Sequence, residues 1–147
     1  MKLEELLESL PVDQWQVAQV YNFDWHDGPR EGVCSLTAPG GEFCFELLEE
    51  RYNPDGLDYR LFRLSELPNG SVEEVLSAVP DLASSSEPVR RRAEQRLQMI
   101  RAKRRLTPLV VLTQDMIHFL GYWRIEGVQG ADVDWFSALG IAHEKPA

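Results

Sequence analysis

From Trp15 to Leu64 apolar residues in this chain alternate with polar ones, and beyond Pro68-Asn69-Gly70 they recur every three or four positions. Alternation sends one side of an extended strand into a core, whereas three-to-four spacing does the same for one stripe of a helix. The switch predicts an α+β fold: a small antiparallel sheet of three to four strands from the N-terminal half, packed against helices from the C-terminal half and a short N-terminal helix. A chain of 147 residues with 44% hydrophobic content matches a single globular domain over 1–147, strand-rich over 15–64 and helical over 71–140.

Leu3, Leu6, Leu7 and Leu10 form one helical stripe that Pro11 ends. From Trp15 to Trp25 the alternation places Tyr21, Phe23 and Trp25 on one strand face, and Asp27-Gly28-Pro29 turns the chain. A hairpin follows, with strands Val33 to Thr37 and Glu42 to Leu48 around Ala38-Pro39-Gly40-Gly41. With that loop, Cys34 faces Phe45 and Leu36 faces Phe43, so Cys34, Leu36, Phe43, Phe45 and Leu47 share a face while Cys44 points away beside Ser35. Asn53-Pro54-Asp55-Gly56 is a second turn, leading to a strand from Asp58 to Leu64. Ser71 with Glu74 carries a capping-box signature for a helix that Pro80 stops. Ser86 and Pro88 then open a basic helix whose stripe is Val89, Ala93, Leu97 and Ile100. Thr107-Pro108 reads as the N-cap and first residue of another helix, with Leu109, Leu112, Met116, Phe119, Leu120 and Trp123 on one face; a buried strand over Leu109 to Leu112 is the alternative. Asp132 to Gly140 reads as a short docked helix.

Positive charge is segregated. Arg90, Arg91, Arg92, Arg96, Arg101, Lys103, Arg104 and Arg105 lie within residues 88–105 with Glu94 as the lone acid, a local +7 that leaves −16 on the remainder of a chain with net charge −9. Such a block serves a nucleic acid, an anionic ligand, an acidic partner, or the acidic remainder of the same chain. Long arginine stems covering a core, with heads paired to Glu46, Glu49, Glu50, Asp55 or Asp58, account for it without any ligand. Arg90, Arg91 and Arg92 fit that account least, because they occupy the first helical turn, where the macrodipole is already positive. This triplet is the candidate anion-binding site.

Other chemistry is weakly marked. Asp24, His26 and Asp27, with Glu31 nearby, supply carboxylate and imidazole for a small metal-dependent hydrolase, but a polar strand end entering a turn has the same composition. Asp115 and His118 stand three apart, so on a helix the carboxylate would orient the imidazole. Cys34 and Cys44 are too few for a disulfide framework and lie on opposite faces of the hairpin, and neither has an evident activating base. Tyr52 and Tyr122 are candidate exposed anchors. No nucleophile elbow, phosphate-cradling loop or dinucleotide fingerprint is present in the sequence.

These features point to a non-catalytic protein-binding domain without metal or cofactor, in kind like an immunity- or antitoxin-type inhibitor. Its expected contact surface is the acidic stretch Glu42, Glu46, Glu49, Glu50, Asp55 and Asp58, facing a basic protein partner. Anion or nucleic-acid binding through the Arg-rich helix 88–105 is the first alternative and the Asp24/His26/Asp27 hydrolase the second. A pI near 4.8 disfavours nucleic acid, and the absence of a long apolar run with an acidic amphipathic start leads to a cytoplasmic expectation, away from membranes.

Overall fold

The computed structural model describes residues 15–26, 28–38, 40–51, 59–125 and 134–139. Six antiparallel strands make one sheet in which spatial order equals chain order: β1 (Gln16–Trp25), β2 (Pro29–Ala38), β3 (Glu42–Arg51), β4 (Tyr59–Leu67), β5 (Arg105–Thr113) and β6 (Phe119–Arg124). Two helices, α1 (Ser71–Leu82) and α2 (Glu87–Ala102), are inserted between β4 and β5, and the short α3 (Trp135–Ala138) follows β6. The α+β class thus holds, with six strands in place of three to four. The N-terminal helix expected over residues 3–10 lies outside the described residues.

The largest departure from expectation is the segment opened by Thr107-Pro108, which is two strands and a turn rather than a helix. Val110, Val111, Leu112 and Thr113 are all buried because β5 is covered on both faces. A strand covered on both faces has no polar positions to reveal its period of two, so its apolar run imitates a helical stripe. Thr107 does not cap a helix: its hydroxyl donates to the Leu64 carbonyl at 2.5 Å and accepts from the Leu109 amide at 3.2 Å. Pro108 falls where the β4–β5 register shifts, the irregular position a strand proline tolerates.

The sheet curls until its first and last strands meet. Val17 donates to the Ile117 carbonyl at 2.8 Å, Phe119 donates to the Trp15 carbonyl at 3.0 Å, and Gln16 bridges His118. Trp15 and Tyr122 stack across this seam with ring centres 4.3 Å apart. The enclosed face carries Cys34, Leu36, Phe45, Phe62, Leu64, Val111, Met116 and Phe119. On the outer face, α1 and α2 cover Val33, Cys44 and Leu67, while Trp135 and Phe136 of α3 cover Leu61, Val110 and Leu112. Beyond the seam both edges are poor templates for pairing: β6 has six residues, and β1 is broken by register shifts along its length.

The β2–β3 hairpin keeps the expected faces but moves its register by two residues, so Cys34 pairs with Phe43, Val33 with Cys44 and Ser35 with Glu42. An even shift preserves which side chains look inward. Gly32 permits the close passage of β1 over β2, since a Cβ there would lie 2.1 Å from the Tyr21 carbonyl oxygen. Tyr21 and Phe23 pack under the helices as their alternation predicts, whereas Trp25 at the end of β1 is 63% exposed.

Helix α1 is capped from outside itself. Its N-cap is Gly70 (φ 88°) rather than Ser71, whose hydroxyl donates instead to the Pro68 carbonyl. The Glu42 carboxylate on β3 accepts the Gly70 amide at 2.5 Å and the Val72 amide at 2.7 Å, taking the part a local Ser or Asp usually plays. Pro80 does not stop the helix, which continues to Leu82, and Ala83 to Ser86 link α1 to α2, whose N-cap is Ser86. Because Glu42 holds the first turn to the sheet, Glu42→Ala should lower unfolding free energy by about 1 to 2 kcal/mol. In urea denaturation we expect a lower midpoint with an unchanged slope; an unaltered midpoint would show the cap to be inert.

Candidate functional site

The acidic residues singled out on β3 are largely committed within the chain. Glu42 caps α1, and Glu49 accepts the Phe136 amide in the first turn of α3 at 3.0 Å. Glu46 lies 3.7 Å from Arg104, and Glu50 lies 3.5 Å from both Arg30 and Arg60. Arg60 is 8% exposed and passes over Gly28, whose missing side chain leaves room for the guanidinium. Asp55 and Asp58 lie outside the described residues.

The basic helix meets these acids on its sheet side. Ala93, Leu97 and Ile100 are its buried stripe, as the spacing predicts, and the cations beside that stripe find strand carboxylates. Arg101 pairs with Glu31 on β2 and stands 5.0 Å above the Phe23 ring, and Arg105 bonds Glu66 on β4 at 3.0 Å. Arg96 reaches α1, 3.7 Å from Glu74 and 3.3 Å from the Ser77 hydroxyl.

The arginine triplet has three separate engagements. Arg90 donates to the Ser84 carbonyl at 2.7 Å, Arg91 pairs with Glu87 one turn earlier at 2.7 Å, and the Arg92 Nε faces the Pro88 carbonyl at 3.5 Å. The Arg90 bond also explains why a cation is tolerated in the first turn: it satisfies a carbonyl of the α1–α2 loop. Arg92 and Lys103 have no carboxylate within ion-pair distance among the described residues, and both are exposed.

Asp115 and His118 meet, with Nδ1 and Oδ2 3.1 Å apart, but in the β5–β6 turn rather than on a helix. There Asp115 Oδ1 accepts the amides of Ile117 and His118, both at 2.9 Å, and Thr113 Oγ1 accepts that of Met116 at 2.9 Å. These bonds hold Met116 at φ 61° and send its side chain into the enclosed core. Partial burial raises the Asp115 pKa, but the two amides and the imidazole outweigh it and leave the carboxyl below its ordinary value of 3.8. The pair organises a turn. Asp24 and His26 are exposed near the β1–β2 turn, Asp27 lies outside the described residues, and no group of three potential metal ligands occurs among the described residues.

Cys34 and Cys44 are buried free thiols on opposite faces of the sheet. Burial, then the charge of Cys44, pushes Cys34 up to about 12; burial pushes Cys44 up to about 11 despite the opposing pull of Arg104 and Arg101. Neither supplies a thiolate near neutral pH. Two grooves of about 350 and 330 Å³ meet at Gly41, Glu42 and Asn69, the first ending at Phe43, Leu109 and Arg124.

What sequence reasoning missed is a strip along one flank of α2. Arg92, Arg96, Met99 and Lys103 recur at i, i+4, i+7 and i+11, within about 60° of one another at 100° per residue. Met99 is 65% exposed at its centre. The signal was present in the spacing, but the surrounding arginines obscured it. Tyr122, a candidate anchor, is half exposed with its ring against Trp15, and Tyr52 lies outside the described residues.

No family model matches this chain, and no curated protein or solved structure matches it either.

The raised thiols yield a pH expectation. A cysteine whose ordinary value is 9.0 and whose folded value is about 11 to 12 favours the folded state fully below pH 9, and that contribution is lost as pH rises through the folded values. Stability of the wild type should therefore fall between pH 9 and 12 more steeply than that of Cys34→Ala/Cys44→Ala, measured by urea midpoint. At pH 8, a thiol reagent should label both cysteines only after denaturation.

Proposed function

We propose that this chain is a non-catalytic protein-binding domain, the class that includes immunity- and antitoxin-type inhibitors, and that its contact face is the exposed flank of α2. The carrying observation is the contrast between the two charged surfaces. Glu42, Glu46, Glu49 and Glu50 are engaged by amides or guanidinium groups of the same chain, whereas Arg92 and Lys103 flank an exposed Met99 with no carboxylate within ion-pair distance among the described residues. A carboxylate already spent on a helix cap or an internal ion pair has less to offer a partner, since binding must first break or share that contact. The partner's complementary charge on this reading is acidic, the reverse of the basic partner suggested by the β3 carboxylates.

Protein fits this face better than a polyphosphate. A phosphate backbone is held by cations and polar donors, while an unbranched thioether at the centre of the strip gains most by burial against apolar side chains. With the chain at −9 overall, the long-range field also opposes nucleic acid.

A photo-reactive benzoylphenylalanine introduced at Met99 and used in the native cell should give discrete protein adducts, and one introduced at Ser77 on α1 should give fewer. Equal adduct patterns at both positions, or none at Met99, would remove the α2 flank as the binding face.

A further inference from the structure

The strip has a definite length and chemistry, and both constrain what lies against it. From Arg92 to Lys103, the residue that caps the end of α2, it runs eleven residues, about 16 Å at 1.5 Å per residue. Cations occupy both ends and one flank, with the apolar contact between them. Arg96 is held toward α1 by Glu74 and Ser77, which marks one border of the strip; Gln95 and Ala102 lie on the opposite border. The buried stripe Ala93, Leu97 and Ile100 is already used against the sheet and α1, so this exposed flank is a second, separate face of the same helix.

We propose that the α2 flank docks an acidic amphipathic helix of a protein partner, with Met99 packed against its apolar stripe and Arg92 and Lys103 paired to carboxylates on either side. The inference rests on the protein-binding reading above and adds the partner's chemistry. A helix matches because its side chains recur at the same three-to-four spacing as the strip, so ridges meet grooves along the whole 16 Å or so rather than at one point. Acidity matches because the two cations that have no carboxylate partner among the described residues stand at the strip's ends. Their pairing sets register and speeds encounter, while burial of Met99 supplies contact that survives salt. The other large exposed apolar residues are differently placed: Trp25 ends a strand beside Asp24 and His26, Ile117 sits in the tight β5–β6 turn, Tyr122 stacks on Trp15, Val20 is on β1, and Leu106 on β5 adjoins Arg105, whose guanidinium is bonded to Glu66.

The test uses the full chain and a fluorescein-labelled synthetic helix of about 18 residues with Leu at a and d positions and Glu at e and g. Three controls accompany it: a scrambled peptide of the same composition, a Lys-for-Glu peptide, and a 20-nucleotide single-stranded RNA. By anisotropy, the acidic amphipathic peptide should bind saturably and at least about tenfold more tightly than its scrambled form, and Met99→Glu should weaken it about tenfold or more. Met99→Gln, a milder change at an exposed helical site, should weaken it less, and circular dichroism checks that each variant is folded. Arg91→Glu alters charge equally about 100° around the helix and should have a smaller effect than Arg92→Glu. Equal binding of the scrambled peptide, tighter binding of RNA or the Lys peptide, equal effects of Arg91→Glu and Arg92→Glu, or no saturable binding would each overturn the proposal. Adducts at Met99 in the cell combined with no binding of this peptide would sink the helical, acidic partner alone; absence of both would sink the binding face as well.

Discussion

Four carboxylates on β3 tie the parts of this fold together. Glu42 holds the first turn of α1, Glu46 faces the arginine that follows α2, Glu49 holds the first turn of α3, and Glu50 bridges arginines on β2 and β4. The sheet needs such ties because the helices cover its outer face with limited apolar area. α2 contributes only Ala93, Leu97 and Ile100 as buried residues, so the cations beside that narrow stripe must come near the strands. Each would be costly without a counter-charge, and the acids of the strands beneath supply one. Part of the segregated sequence charge thus becomes paired charge once the chain folds, while Arg92 and Lys103 on the flank of α2 have no carboxylate within ion-pair distance among the described residues.

Legibility in the sequence followed burial. β1 to β3 were readable because turns punctuate them and their alternation survives where one face is less covered. The α1–α2 connection was readable because Ser86 and Pro88 are local signals. β5 was only the second reading, as a buried strand over Leu109 to Leu112, because a strand enclosed on both sides loses its polar positions and Thr107-Pro108 serves a strand irregularity as readily as a helix start; β6 was absorbed into the same helical stripe through Phe119, Leu120 and Trp123. The register of the β2–β3 hairpin was also missed, although the facing assignment survived an even shift. Capping of α1 by Glu42 was out of reach for a different reason: the acceptor is 28 residues from Gly70, and local spacing carries no trace of it.

The candidate sites follow the same division. Asp115 and His118 were correctly paired but wrongly placed, since three-residue spacing suits a tight turn as well as a helix. The arginine triplet was singled out on dipole grounds, yet one of its members satisfies a loop carbonyl and another a carboxylate one turn away. The acidic stretch was read as surface because a run of glutamates on a strand looks solvated. Only three-dimensional placement shows that Glu42 and Glu49 reach different helices while Glu46 and Glu50 meet arginines.

Because strand order in space copies strand order in the chain, almost all of the sheet can assemble between neighbours, with no search among alternative partners. Two steps differ. Bringing β5 to β4 must span the intervening helices, and joining Trp15 and Val17 to the β5–β6 turn closes a loop of about a hundred residues. That closure has the longest sequence separation of the described strand contacts, and it is held by backbone bonds, one ring stack and the packing of Trp15 and Val17 on the enclosed core. The hairpins can thus form from residues close in sequence, whereas the seam needs both ends of the described sheet in place before its contacts exist.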